Sequence, residues 1–238
     1  MLAREKMRIF YVYKINSTQD QAKALSELHL EVVSFWVQCA IQTHGRGQRG
    51  RKWESELGNL YLTGCVVKKN VVPGQLSVAT GVLLANILKA HLEKTGGPTD
   101  GAIELKVGLK WPNDLLVNGK KCGGVLIEMA EHIYIGIGIN VHNHPENGPH
   151  INMPAAHLPT INRECLAMEI MQNIDEQFLA LQNFSIVQQQ WWDFAKDWVN
   201  AWHLREPLTG DVIGVDSLGQ LLIKNSNGEI TARHQTFV

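Results

Sequence analysis

Runs of apolar and β-branched residues recur along the chain and predict the strands of a sheet. The strand-like segments are residues 8–14, 32–41, 59–68 and 133–141, and residues 103–110 lead into two further apolar runs. Helical periodicity marks longer segments, namely the one after residue 17 and residues 75–94, 163–181 and 188–202. From about residue 204 the pattern changes to short strands with turn signals at 216–219 and 225–228. The chain therefore combines helices and strands, and we expect it to end in a β appendage of about 35 to 40 residues.

The segment from Lys110 to Glu128 places polar and small residues where a strand pattern asks for apolar ones. Asn118-Gly119 lies between two of its apolar runs, and this dipeptide supplies the two positive φ angles of a two-residue turn. We therefore predict a β-hairpin. The candidate site residues on it are Asn113, Asp114, Lys121, Gly123 and Gly124. They either form a ligand site, in which the glycines let a ligand approach the backbone, or are solvated residues of an exposed hairpin.

Residues 42–53 form a second unusual stretch, with the sequence QTHGRGQRGRKW. Its glycines have the spacing G-x-G-x-x-G, but a dinucleotide-binding fold needs a helix directly afterwards and an acidic residue about 20 positions later. A strand-like segment follows instead, and residue 70 is Asn. We therefore reject a Rossmann fold.

This stretch concentrates positive charge in an otherwise neutral chain, through Arg46, Arg49, Arg51 and Lys52. Guanidinium groups bind phosphate in bidentate fashion, and so many glycines and arginines are costly to order without a ligand. We therefore predict a mobile loop that closes on a phosphate-containing ligand, with a solvated basic loop as the alternative. Trp53 either stacks on a base or anchors the loop to the core.

Two further features are candidates for ligand contact. Ser17 is predicted to cap the helix that follows it, and the adjacent Thr18 then offers a hydroxyl at the helix N-terminus, where free N–H groups favour polar ligands. Gly136 and Gly138 lie on one face of the strand at 133–141. They either let a ligand lie flat on the strand or let a helix pack against it.

We interpret the histidines and tryptophans in the second half of the chain as structural residues rather than ligand-binding ones. The histidines between residues 142 and 157 show no metal-ligand spacing, so we expect an exposed loop; they are His142, His144, His150 and His157. One helical stripe is predicted to belong to the core, and it consists of Trp191, Phe194, Trp198 and Trp202.

The overall charge is nearly balanced, with 22 basic and 23 acidic side chains. No general field attracts nucleic acid or anionic lipid, so any anion binding must be local. The four cysteines are isolated, which favours reduced thiols, and no apolar run reaches the roughly 18 residues that a membrane span requires. These features predict a soluble cytoplasmic protein.

Three motifs in register, GRGQRGRKW, KWPNDLLVNGKKCGGVLIE and IGIGIN, resemble those of the biotin protein ligases, which attach biotin to carboxyl carrier domains. The resemblance runs from about Ser17 to the C-terminus. It implies an α+β fold: a mixed β-sheet flanked by helices, similar to class II aminoacyl-tRNA synthetases, over residues 1–199, and an SH3-like β-barrel over residues 200–238. Members that also repress transcription carry a winged helix-turn-helix before the Ser-Thr motif. Because 16 residues precede Ser17, we expect a monofunctional ligase.

The resemblance also assigns site residues. It implies a biotin-binding set comprising Ser17, Thr18, Gln19, Gln42, Arg46, Gly47, Gln48, Lys121, Gly123, Gly136 and Gly138. It implies an ATP-binding set comprising Arg46, Arg49, Arg51, Trp53, Asn113 and Asn140. The catalytic residues would be Lys121, Arg46 and Asp114, and Asp114 would contact Mg²⁺ or the incoming lysine. Gln48 departs from the pattern, since many members have another Arg there.

The implied function is ATP-dependent activation of biotin to biotinyl-5'-AMP, followed by transfer to a lysine of the biotin carboxyl carrier protein of acetyl-CoA carboxylase or a related carboxylase. We expect no DNA or membrane partner, and either a monomer or a homodimer. One alternative is a lipoate or octanoyl ligase of the same superfamily, disfavoured because K-W-P-N-D and G-R-G-x-R-G are the biotin branch's versions of these segments. The other is a non-enzymatic biotin-sensing regulator, disfavoured by the lack of a DNA-binding segment.

Overall fold

A seven-stranded sheet forms the centre of the computed structural model, which describes residues 7–28, 34–67, 70–94, 105–145, 153–158, 160–202, 208 and 210–234. Its strands are β1 (Arg8–Ile15), β2 (Phe35–Gln42), β3 (Leu60–Val67), β4 (Val107–Lys110), β5 (Asp114–Val117), β6 (Lys120–Met129) and β7 (His132–Ile139). Their order across the sheet is β1-β2-β3-β7-β6-β5-β4. The pair β1–β2 is parallel and the other pairs are antiparallel. The predicted mixed sheet is therefore confirmed, while residues 32–33 and 103–104 of the predicted segments lie outside the described residues.

Helices cover both faces of this sheet. They are α1 (Thr18–Leu28), α2 (Pro73–Lys94), α3 (Arg163–Ala180) and α4 (Phe184–Ala195). Alternation along β2 separates the two faces, because Phe35 and Val37 pack in a small cluster with Ala22 of α1, whereas Trp36 joins the large core that contains α2, α3 and α4. None of the described helices is both long and apolar enough to cross a membrane.

The last predicted helix differs from the observed one. We predicted residues 188–202, but α4 begins at Phe184, ends at Ala195 and is followed by a short 3₁₀ turn at Val199–Ala201. Beyond the helix, the Trp198 ring packs on two glycines of the sheet: a Cβ atom on Gly108 of β4 would lie 2.2 Å from its indole nitrogen, and one on Gly119 of the β5–β6 turn would lie 3.2 Å from the ring. The tryptophan stripe still belongs to the core, since Trp191 and Trp202 are buried with ring centroids 6.2 Å apart.

The end of the chain forms a separate three-stranded antiparallel sheet of β8 (Asp211–Val215), β9 (Leu221–Lys224) and β10 (Ile230–Arg233). Both predicted turns are confirmed: Asp216 accepts hydrogen bonds from the backbone of Leu218 and Gln220, and Asn225 does the same at the second turn. The SH3-like barrel and the boundary at residue 200 remain predictions.

The first of these turns packs against the large sheet's connection between β4 and β5. The indole nitrogen of Trp111 donates to the Gly219 carbonyl at 3.0 Å, and the Gln75 side chain donates to the Ser217 carbonyl at 2.7 Å. A Cβ atom on Gly74, in the first turn of α2, would lie 2.3 Å from the Leu218 carbonyl oxygen. The small sheet is thus fixed next to the Trp-Pro-Asn-Asp segment.

Candidate functional site

Asp114 and Lys121 face each other across the β5–β6 hairpin, whose turn has positive φ angles at Asn118 and Gly119 as predicted. The Lys121 ammonium lies 2.5 Å from Asp114 Oδ1, and the Lys110 ammonium lies 3.8 Å from Asp114 Oδ2. Lys110 is only 8% exposed, and this burial lowers its pKa despite the nearby carboxylate. One carboxylate therefore serves two ammonium groups, an arrangement that presents positive charge to an anionic ligand.

A β-bulge determines which hairpin residues share the face with Lys121. Leu115 pairs with Gly123 whereas Leu116 pairs with Lys121, so β6 contains one extra residue, Cys122. As a result a Cβ atom on Gly124 would lie 3.6 Å from the Lys121 side chain.

Gly123 faces the other way. A Cβ atom there would lie 3.3 Å from the side chains of Leu115 and Ile139, which belong to the large core. Gly124 therefore shares the face of Lys121, and the biotin contact expected of the backbone around Gly123 stays a prediction.

The N-terminus of α1 brings together residues that the sequence separates. Ser17 caps the helix through a hydrogen bond from the Gln19 backbone at 3.2 Å, as predicted. The Thr18 backbone and hydroxyl both donate to the Gln42 Oε1 atom, at 2.8 and 3.1 Å. Two of the predicted biotin-binding residues therefore form one network.

Ser55 extends this network to the Gly/Arg loop, and sequence reasoning missed it. Its hydroxyl accepts a hydrogen bond from Gln42 Nε2 at 2.9 Å and donates to the Trp53 carbonyl at 3.1 Å. A Cβ atom on Gly45 would lie 2.4 Å from the Ser55 hydroxyl oxygen, so the glycine is needed for this close approach. No local pattern marks Ser55 in the sequence.

Gln19 and Trp53 lie over the glycines of β7. The Gln19 amide donates to the Leu126 carbonyl at 3.1 Å and packs on Gly136, where a Cβ atom would lie 2.9 Å from it. A Cβ atom on Gly138 would lie 2.7 Å from the Trp53 ring. For Gly136 the helix-packing alternative therefore applies, because Gln19 belongs to α1. Gly138 makes room for Trp53, which anchors the loop to the sheet.

Two buried polar atoms at these residues lack a partner among the described residues: Gln19 Oε1 and Trp53 Nε1. The Lys121 ammonium also lies 5.2 Å from the centre of the Trp53 ring, within the range of a cation–π contact. Unsatisfied buried polar atoms are costly, and a bound ligand with a donor and an acceptor would satisfy them.

Arg46 is held by acidic side chains rather than exposed. Its Nε and Nη2 atoms donate to the two oxygens of Glu128, both at 3.1 Å, and its Nη1 atom lies 2.7 Å from Asp20. Burial alone would lower the pKa of Arg46, but the bonds to Glu128 and Asp20 outweigh burial and raise it. Sequence reasoning missed Glu128, because the only local signal is an acidic residue at the end of an apolar run.

The rest of the Gly/Arg loop is a tight turn. Arg46 and Lys52 form an antiparallel bridge, Gly47 donates to the Arg51 carbonyl at 2.7 Å, and the tip at Arg49 and Gly50 has positive φ angles. Arg49 and Arg51 are exposed, and no salt bridge joins either to a carboxylate within the described residues. The guanidinium groups of Arg49 and Arg51 are therefore available to a ligand. Gln48, which precedes Arg49 in the loop, is half-buried.

Asn113 and Asn140 support the backbone next to Lys121. The Asn113 amide donates to the Val125 carbonyl at 2.7 Å, and the Asn140 amide donates to the Ala156 carbonyl at 3.1 Å. Ala156 in turn donates to the Lys121 carbonyl at 2.9 Å. Each side-chain amide thus donates a hydrogen bond within the chain, and the ATP contacts expected of both residues stay predictions.

Comparison with known proteins gives the family. The sequence profile of the biotin/lipoate A/B protein ligase family matches residues 11–140, more than half of the chain. This chain belongs to that family.

Individual relatives and solved structures are also similar to this chain. The chain is 27% identical to the bifunctional ligase/repressor BirA of Bacillus subtilis, over 92% of this chain and 70% of the relative. It is 34% identical to a biotin–[acetyl-CoA-carboxylase] ligase of Mycobacterium tuberculosis over 44% of this chain and 38% of the relative. A biotin protein ligase from Aquifex aeolicus, solved with biotin and ATP, covers 94% of each chain with a TM-score of 0.72 and 25% identity.

The acidic side chains near Lys121 have cationic neighbours within the chain. Asp114 Oδ1 binds Lys121, Asp114 Oδ2 lies 3.8 Å from the Lys110 ammonium, and Glu128 binds Arg46 and Lys23. Among the described residues no group of three or more His, Cys, Asp or Glu side chains could hold a metal ion. The contact between Asp114 and Mg²⁺ stays a prediction.

Two histidines of the loop after β7 lie against each other, and a third, His142, contacts the Gly58 carbonyl at 2.6 Å. His144 Nδ1 lies 2.6 Å from His157 Nδ1, and the two rings are stacked. Partial burial and the neighbouring histidines lower the pKa of His157. The loop is exposed at His142 and His144, as predicted, and His150 lies outside the described residues.

Proposed function

We propose that this protein is an ATP-dependent ligase that activates biotin to biotinyl-5'-AMP and transfers it to a lysine of a biotin carboxyl carrier protein. The observation that carries the proposal is the layout of one sheet face. At one end lie the neutral hydrogen-bonding groups of Ser17, Thr18 and Gln42, and at the other lies the Lys121 ammonium. Between them, Gln19 packs on Gly136 and the Trp53 ring packs on Gly138 and Gly124.

The polar, apolar and anionic parts of biotin match this layout. Its bicyclic urea offers N–H donors and a carbonyl acceptor, its aliphatic tail is apolar, and its carboxylate is anionic. The apolar face of the Trp53 ring fits the tail, and the ammonium fits the carboxylate. Lipoate lacks the urea, so it would leave the buried Gln19 Oε1 atom without a hydrogen-bond donor.

In the first step the carboxylate oxygen of biotin attacks the α-phosphorus of ATP, and pyrophosphate leaves. Two anions must approach each other, so fixed cations lower the barrier by stabilising the charge of the transition state. Lys121 is the group best placed to contact the carboxylate and the α-phosphate. Arg49 and Arg51, which are exposed on the loop, would bind the β- and γ-phosphates.

In the second step the amine of the carrier lysine attacks the acyl carbon, AMP leaves and the amine loses a proton. Asp114 is the carboxylate on this face that could receive it, and the lysines on both of its oxygens orient it. The Gly/Arg loop would shield the mixed anhydride from water in the meantime. ATP enters as its magnesium complex, with the ion held by the phosphates, which is the usual way Mg²⁺ binds in such sites.

Biotin-dependent exchange of labelled pyrophosphate into ATP tests this proposal directly. We expect exchange with biotin and none above background with lipoate or octanoate, and transfer of labelled biotin to a carrier domain with a single acceptor lysine. Exchange supported by lipoate alone would replace the proposal with its superfamily relative. Biotin binding without any exchange would indicate a sensor, which a gel-shift assay with DNA would then examine.

We also infer that the three-stranded sheet β8–β10 is part of an SH3-like domain and that the protein acts in the cytoplasm. Support for the first comes from the confirmed turns and from the packing of Gly219 against Trp111. Support for the second comes from four free cysteines, of which Cys39, Cys65 and Cys122 are buried. Limited proteolysis and cell fractionation test these two inferences.

A further inference from the structure

The hydrogen bonds of Arg46 leave little capacity for a nucleotide. A guanidinium group has five N–H donors. Two donate to Glu128, and Nη1 donates to Ser17 Oγ at 3.2 Å and contacts Asp20 at 2.7 Å. One donor remains, on Nη2, and two carboxylates already neutralise the charge. Arg46 therefore differs from the exposed Arg49 and Arg51 of the same loop.

Glu128 is the fixed end of this arrangement. It is 9% exposed, and it also receives the Lys23 ammonium at 2.9 Å. Burial by itself would raise the pKa of Glu128, but the bonds from Arg46 and Lys23 outweigh burial and lower it. Two cationic partners compensate this buried charge and hold the carboxylate in position.

The fixed position of Arg46 also determines the hydrogen bonding of Ser17. Its hydroxyl oxygen accepts hydrogen bonds from the Gln19 backbone and from Arg46, both at 3.2 Å. A hydroxyl oxygen has two lone pairs, so both are occupied. The remaining capability of Ser17 is its single O–H donor, which has no acceptor among the described residues and is therefore available to a ligand. The acceptor at the ring end of biotin is its urea carbonyl oxygen.

We propose that Glu128 is a positioning residue that acts through Arg46 to make Ser17 an obligatory hydrogen-bond donor to the urea oxygen of biotin. This inference rests on the proposed function. It moves Arg46 from the phosphates, where the resemblance also places it, to the biotin end of the site. Loss of Glu128 therefore weakens biotin binding and leaves the chemical step nearly intact.

The first test separates binding from chemistry. In the pyrophosphate-exchange assay, Glu128→Gln keeps the side-chain volume and removes the charge, and we expect the KM for biotin to rise about tenfold. The KM for ATP and kcat should stay within about twofold of the parent values. Asp193→Asn is the matched control, since it also converts a paired acid to its amide but lies on the exposed surface of α4, and it should change nothing. A fall in kcat at unchanged KM for biotin would overturn the proposal.

The second test asks whether Glu128 acts through Arg46. In an Arg46→Ala background the change Glu128→Gln should have no further effect on the KM for biotin, because the two residues act as one unit. Additive effects of the two changes would contradict the proposal. Should Glu128→Gln fail to fold, Arg46→Lys serves instead, because a single ammonium lacks the three separate nitrogens with which Arg46 reaches Glu128 and Ser17, and it should show the same rise in KM.

Different results would overturn the proposed function and the positioning role of Glu128. A parent protein without biotin-dependent exchange overturns the proposed function. An active parent in which Glu128 and Arg46 behave independently overturns only the positioning role of Glu128.

Discussion

The Lys121 ammonium lies 2.5 Å from the Asp114 carboxylate across the β5–β6 hairpin, and Lys110 binds the second oxygen of the same carboxylate at 3.8 Å. Asp114 thus keeps a cationic partner when Lys121 is removed. This matters for the first prediction, because a loss of activity on changing Lys121 then reports chemistry rather than unfolding.

We predict that Lys121→Ala lowers the rate of biotin adenylation by roughly 10²-fold or more while the fold is retained. Loss of one donor that stabilises developing charge costs about 3 kcal/mol in comparable sites. The measurement is pyrophosphate exchange, with the circular dichroism spectrum as a check on folding. Lys120→Ala, at the exposed neighbouring lysine, is the matched control and should be active. A Lys121→Ala rate within a few-fold of the parent would remove Lys121 from the mechanism.

The tip of the Gly/Arg loop should be protected from proteolysis by substrates. Arg49 and Arg51 are exposed, whereas Arg46 is bound to Glu128, so trypsin is expected to cut after the first two and spare the third. Biotin and ATP together should suppress this cleavage, because the arginines would then bind phosphates and order the loop. Mass spectrometry of timed digests locates the cuts. Equal cleavage with and without substrates would count against loop closure.

Gln48 is expected to weaken retention of the acyl-adenylate. It lies half-buried beside Arg49, and Gln keeps the length of an Arg side chain without its charge. Because charge-assisted hydrogen bonds exceed neutral ones by about 1 kcal/mol, Gln48→Arg should slow single-turnover release of biotinyl-adenylate roughly fivefold. The parent and the variant are compared without carrier protein. An unchanged release rate would mean that Gln48 has no contact with the ligand.

Acid should reveal the contribution of Glu128 to stability. Its pKa in the folded protein lies below the ordinary value of 4.5, so its bonds stabilise the fold above pH 4.5 and are lost as the pH falls through the folded-state value. Glu128→Gln should therefore lower the free energy of unfolding at pH 7, and the gap from the parent should narrow below pH 4.5. Urea unfolding between pH 7 and about pH 3 measures this. A gap that widens on acidification would show that the sign is wrong.

Thiol reactivity should be confined to one of the four cysteines. Burial raises the pKa of Cys39, Cys65 and Cys122 to about 12, so these thiols are protonated at neutral pH and shielded. Cys165 is exposed. Iodoacetamide should modify Cys165 in the native protein and the other three only in denaturant, as counted by mass spectrometry. Modification of Cys122 in the native state would indicate that the bulge next to Lys121 opens.

Turns and helix caps could be predicted from the sequence, because they depend on residues close together in the chain. The positive φ angles at Asn118-Gly119, the Ser17 cap and the Asp216 turn follow from local hydrogen bonding and from what each side chain permits the backbone to do. The motif spacing also indicated the family. These signals span only a few residues and survive without knowledge of the rest of the chain.

The assembly of the site follows from long-range packing. Glu128 binds Arg46 from 82 positions away, Trp111 meets Gly219 from 108 positions away, and neither pair has a local signature. The bulge at Cys122 puts Gly124 on the same face as Lys121, because one extra residue reverses which positions of β6 face the site. Packing selects the first two pairs and strand register selects the third, and both depend on the whole chain.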